Sequence, residues 1–147
     1  LQSLPFLDEP MPAASGKYTK EHTKKWSKLI DDFDAFVFVT PEYNQSIPGV
    51  LKNAIDFLAK EWSSKSAAIV SYGGSGGLRA SEHLRQVLKH VKLVPVEETV
   101  SLTLADDFVE YKSFKPREEK RDDLITMMDA LSQHAIKTSE LRRSENK

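Results

Sequence analysis

Apolar and polar positions alternate along the chain in two distinct rhythms. From Thr19 onward, Trp26, Leu29, Ile30 and Phe33 recur at i, i+3, i+4 and i+7, which predicts a helix with one apolar stripe. Ala35-Phe36-Val37-Phe38-Val39 follows as an unbroken β-prone run, the pattern of a strand buried on both faces of a parallel sheet. Gly49 to Trp62 returns to the helical period, with Val50, Leu51, Ala54, Ile55 and Leu58 on one face. Ala67-Ala68-Ile69-Val70 predicts a second buried strand. Leu78 to His90 predicts a third helix, with Leu84, Val87, Leu88 and Val91 in register. Val94-Pro95-Val96 opens a third strand, and Pro95 points to an edge or an irregular start. Val100 to Leu104 either extends that strand or forms a short one of its own. A long helix is expected from Arg117 to about Arg143, with Leu124, Ile125, Met128, Leu131, Ala135 and Leu141 inward.

The intervening segments are loops. Leu1 to Gly16 holds Pro5, Pro10, Pro12 and Gly16, too many breakers for a regular element. Asp106 to Pro116 reads as a charged loop carrying Phe108, Tyr111 and Phe114, and Ser144 to Lys147 as a frayed tail. Alternation of strand and helix implies right-handed βαβ units around a parallel sheet. Ligands bind such sheets beyond the carboxyl ends of the strands. Two loops leave strands at such ends: Thr40 to Pro48, and Tyr72 to Gly77.

The first loop places Thr40, Pro41, Glu42, Tyr43 and Asn44 in succession. Backbone amides, an aromatic face and a side-chain amide fall within a few residues, which suits a flat heteroaromatic ligand. The same residues also suit an ordinary strand–helix connection in which Asn44 and Ser46 only make turns. The second loop runs Tyr72, Gly73, Gly74, Ser75, Gly76, Gly77, with four glycines in its last five residues. Such a loop permits positive φ and close backbone approach to a ligand. It is neither the dinucleotide fingerprint nor a Walker loop. As a string it matches Gly-x-Ser-x-Gly around Ser75, so a serine hydrolase is an alternative, although no Asp–His partnership follows.

Composition narrows the field. The chain has 147 residues, 39% hydrophobic and 29% charged, which fits one domain spanning 1–147. A net charge of −1 gives no global field for nucleic acid or an anionic membrane. There is no cysteine, so thiolate zinc sites and thiol nucleophiles are excluded. His22, His83, His90 and His134 are scattered, without metal-ligand spacing. No apolar run approaches the roughly 18 residues of a membrane span, and cytoplasm is the default location.

At the two loops the sequence resembles the NADPH-dependent FMN reductase family, which includes quinone and azo-dye reductases. The resemblance rests on Val39-Thr40-Pro41-Glu42-Tyr43-Asn44 with Ile47-Pro48-Gly49-Val50-Leu51-Lys52-Asn53-Ala54-Ile55-Asp56, and on Ser71 to Ala80. Leu4-Pro5-Phe6-Leu7-Asp8-Glu9 resembles the family's segment after its second strand. The resemblance implies a flavodoxin-like α/β three-layer sandwich. It implies FMN lying against Thr40 to Asn44 and Tyr72 to Gly77, with no protein catalytic residue and no metal. NADPH or NADH would reduce the flavin, and a quinone, flavin, azo compound or similar small acceptor would reoxidise it. It also implies a homodimer or homotetramer. The family's opening strand, phosphate-holding loop, helix and second strand are not found in this sequence. That leads to two expectations: an exposed sheet edge beside Phe36 to Val39, and flavin held by its ring alone. A flavin-poor binding module is the corresponding alternative.

Overall fold

The computed structural model describes residue 1 and residues 3–145. Three strands form one parallel sheet: β1 (Ala35–Pro41), β2 (Ser66–Gly73) and β3 (Val94–Thr103), in the order β1-β2-β3. Helices α1 (Glu21–Asp31), α2 (Gly49–Asp56) and α3 (Leu78–His90) pack on one face, and α4 (Glu119–Glu145) packs on the other.

Strand alternation divides the core in two. Ala67 and Ile69 of β2 point toward α1–α3, where Ile30, Leu51, Ile55, Leu84 and Leu88 meet Phe57 and Trp62. Ala68 points the other way and joins Val96, Val100, Leu102, Met127 and Leu131 under α4. Burial of each large apolar side chain contributes about 1.5–3 kcal/mol.

Several expectations need correction. The α2 helix stops at Asp56, not Trp62. Its last carbonyls are taken by indoles: Trp26 Nε1 donates to Ala54 O at 2.9 Å and Trp62 Nε1 to Ile55 O at 3.0 Å. The apolar residues beyond Asp56 fill the core from turns, so the helical period there reflected burial alone. β1 is not buried on both faces. Phe36 and Phe38 enter the core, while Val37 and Val39 on the opposite face are 42% and 63% exposed. The inward face of α4 is Met127, Leu131 and Thr138, whereas Leu124, Ile125, Met128 and Leu141 face outward. Ser144 and Glu145 continue α4 and are not a frayed tail; Asn146 and Lys147 lie outside the described residues.

β3 is one continuous element that extends the Val94 start through Thr103. Its register slips between Ala67 and Ile69 of β2, which pair with Pro95 and Thr99. Arg85 repairs the slip by donating to Val96 O at 2.7 Å and Glu97 O at 3.3 Å. Among the described residues β1 pairs with β2 alone, so its outer edge is open. A groove of about 360 Å³ runs along that edge between Trp26, Phe33, Phe36, Phe38 and Val39.

Candidate functional site

The register Thr40↔Ser71 and Pro41↔Tyr72 brings both loops off the sheet at the same level. Glu42 extends the pairing by one bond, its N–H donating to Tyr72 O at 3.1 Å. The two segments singled out in the sequence therefore meet at the carboxyl ends of adjacent parallel strands.

The first loop is built on a tight turn. Tyr43 N–H donates to Ser46 O and Ser46 N–H donates to Tyr43 O, both at 3.0 Å. Asn44 and Gln45 complete it with φ of 48° and 67°. Two positive φ values match the right-handed twist of the flanking segments. Gln45 lacks the short side chain that eases this conformation, so it carries roughly 1–2 kcal/mol of local strain. The turn leaves the Tyr43 ring 64% exposed. Thr40 is fully buried and its Oγ1 donates to Pro41 O at 2.9 Å, so its hydroxyl is engaged within the loop and not turned to a ligand.

The second loop turns at Gly73, whose carbonyl accepts from Gly76 N–H at 3.1 Å and from Leu104 N–H at 3.1 Å. Gly76 and Gly77 both have positive φ. The Gly76 carbonyl is held by two hydroxyls from neighbouring strands, Ser71 Oγ at 2.7 Å and Ser101 Oγ at 2.9 Å. Gly74 and Ser75 lie exposed at the tip. Among the described residues Ser75 makes no side-chain hydrogen bond to a histidine. Tyr72 is half-buried and its ring lies 6.3 Å from that of Phe108, on the α4 side of the sheet.

The N–H groups of Asn44, Gln45, Gly74 and Ser75 have no acceptor among the described residues. Two short rows of free donors thus face solvent at one end of the sheet. Free backbone donors at such an end suit a ligand rich in carbonyl oxygens and ring nitrogens.

A third loop flanks the pair, and its structure was not legible in the sequence. The charged segment after β3 forms a small hairpin, β4 (Phe108–Val109) with β5 (Ser113–Phe114). Asp107 anchors it, fully buried. The carboxylate accepts from Thr103 N–H at 2.8 Å, Arg117 N–H at 3.1 Å and Arg117 Nε at 3.1 Å. Burial alone would push its pKa up, but these donors hold it below the usual carboxylate range. Other contributors were given no role in the sequence reading: Gln45, Ser101, and His83, whose Nδ1 lies 3.2 Å from Ser46 Oγ, while Ser71, part of the matched motif, turns out to brace the loop through the Gly76 carbonyl. Only the positions of Ser71 and Ser101 on strands facing the glycine loop could have pointed to them.

The parallel sheet covered by helices on both faces, with two loops leaving its carboxyl end side by side, defines a doubly covered α/β domain. The chain belongs to the NADPH-dependent FMN reductase family, whose model matches residues 1–107. An NAD(P)H-dependent FMN reductase of Nectria sp is 46% identical over 101 residues, 66% of this chain and 50% of that protein. An NAD(P)H:quinone oxidoreductase of Solanum tuberosum is 43% identical over 91 residues, 59% of this chain and 46% of that protein. The solved flavoenzyme NAD(P)H:(acceptor) oxidoreductase FerB of Paracoccus denitrificans superposes with a TM-score of 0.69 at 25% identity, covering 90% of this chain and 78% of that one. The fold is flavodoxin-like. The chain spans about half the length of the curated relatives it matches.

Proposed function

We propose that the surface formed by the two loops seats the isoalloxazine ring of FMN, and that the protein carries reducing equivalents from NADPH or NADH to a small acceptor. A quinone, a free flavin, an azo compound or a similar oxidant fits that role. The observation that carries this reading is the two rows of unpartnered N–H groups, at Asn44–Gln45 and Gly74–Ser75, at one end of the sheet. The edge of the isoalloxazine ring presents carbonyl oxygens and nitrogens that such donors match.

When bound, FMN supplies the acceptance of hydride and its onward delivery. The chain's residues bind and orient. The amides of Asn44, Gln45, Gly74 and Ser75, without acceptors among the described residues, would hold the ring edge. Gly74 allows close approach, since a Cβ there would meet nothing within 4 Å of the chain. Tyr43, exposed beside the turn, offers an aromatic wall. Pro41, Glu42, Gly73, Gly76 and Gly77 shape the loops that present these groups.

We further read the protein as a cytoplasmic homodimer or homotetramer built from a single domain. The outward apolar side chains of α4 and β1 support self-association. A titration with FMN, followed by NADPH oxidation in the presence of a benzoquinone, tests the reading. Saturable perturbation of the flavin spectrum and quinone-dependent NADPH consumption are expected. A flavin spectrum unchanged at saturating protein would replace the reductase with a binding module.

A further inference from the structure

The carboxylate of Glu42 is engaged by the start of α3. Its Oε2 accepts from Arg79 N–H at 3.0 Å and from Ala80 N–H at 3.3 Å, the second and third residues of α3. The first N–H groups of a helix have no acceptor within the helix. The residue before α3 is Gly77, which has no side chain with which to cap them. A residue from the neighbouring strand end supplies the acceptor instead, and its negative charge also suits the positive end of the helix. Contact is close elsewhere too: a Cβ built on Gly73 would lie 3.4 Å from Glu42 Cβ. One turn further along α3, His83 approaches Ser46 of the same first loop at 3.2 Å.

We propose that Glu42 is a positioning residue and not a cofactor contact: its carboxylate locks the glycine loop and the start of α3 to the first loop. The lock fixes the spacing between the two rows of free N–H groups. Its consequence for flavin rests on the proposed reading of the two-loop surface, while the lock itself is a property of the chain alone.

Amide hydrogen exchange, read by NMR on the flavin-free chain, tests it with E42A, E42Q and E42D. In E42A the Arg79 and Ala80 amides should exchange about tenfold faster, the scale of a lost helix cap. Ser81, whose N–H donates to Gly77 O at 2.9 Å, should keep its protection because the helix persists. Glu42→Gln keeps an acceptor oxygen at the same reach and should recover part of the protection. Glu42→Asp, one methylene shorter, should recover none. FMN affinity should fall in the same order. Unchanged exchange at Arg79 and Ala80 in E42A overturns the lock, and a loss of FMN affinity in that case would assign Glu42 to direct flavin contact. Should E42A prove too unstable, equal exchange in E42Q and E42D overturns the lock. If the parent chain binds no FMN, the flavin reading fails, while the exchange ranking still decides the lock.

Discussion

At Gly77 a Cβ would sit 2.8 Å from Tyr72 N and 2.9 Å from Ser71 Cβ, with φ at +69°. At Gly76 it would sit 2.0 Å from Ser101 Oγ, with φ at +71°. Gly74 has open space and no positive φ. The sequence presents these glycines as equivalent, so Gly74 and Gly76 were expected to serve ligand binding alike. The structure separates them: Gly76 and Gly77 make the loop possible, and Gly74 leaves room at its tip. Gly77→Val should therefore lower the melting temperature by several degrees, since each kcal/mol moves a domain of this size by about 2–4 °C. Gly74→Val should leave the flavin-free melt unchanged and weaken FMN binding, because only the ligand approach is blocked. Thermal melts beside FMN titrations decide it. A melt lowered equally in both variants would make the whole loop structural.

The α1 helix shows how an element can depend on residues its own sequence does not contain. Its capping position is Lys20, whose side chain makes no cap. Glu9 reaches over from the preceding loop and fixes the two residues that lead into the helix, accepting from Thr19 N–H, Thr19 Oγ1 and Lys20 N–H, all at 2.9 Å. Partial burial opposes ionisation of Glu9, but the donors from Thr19 and Lys20 outweigh it and lower its pKa to about 2. A carboxylate whose pKa is depressed on folding contributes stability that is full above its unfolded value, 4.5, and is lost as pH falls toward about 2. Glu9→Gln should therefore reduce stability at neutral pH and flatten the pH dependence between 4.5 and 2, as read by circular dichroism melts across that window. An unchanged acid slope would contradict this account of the cap.

The same dependence on distant residues explains what the sequence could and could not reveal. β1, β2 and α3 were legible because their apolar runs end at breakers: Pro41 and Gly73 stop the strands, and Gly77 starts the helix. The β4–β5 hairpin was not legible. Its strands are two residues each, and its turn places Glu110 and Tyr111 at positive φ without Gly or Asn to announce it. The face of α4 was misread because its apolar residues surround much of the helix, and packing alone selects Met127 and Leu131 over Leu124 and Met128. The two loops that the structure brings side by side were singled out by residue type. Of the side chains that hold them, Ser71 acts within its own strand and loop, while Glu42 and Ser101 act across strands at separations that only the folded sheet closes.

For the whole molecule, the sheet register decides which loops meet. Parallel pairing of β1 with β2 brings Pro41 level with Tyr72, so two loops distant in sequence become one surface. The outer edge of β1, unpaired among the described residues as expected beside Phe36 to Val39, borders an apolar groove. Under the proposed function, backbone donors of these two loops hold a flavin ring. A two-dimensional amide NMR titration of the isotopically labelled chain with FMN reads those donors one by one. The largest shifts are expected at Asn44, Gln45, Gly74 and Ser75, with smaller ones at Tyr43 and Gly76 and none at the opposite end of the sheet near Ser66 and Val94. Shifts concentrated away from the two loops, or absent from Gly74 and Ser75 at saturation, would contradict it.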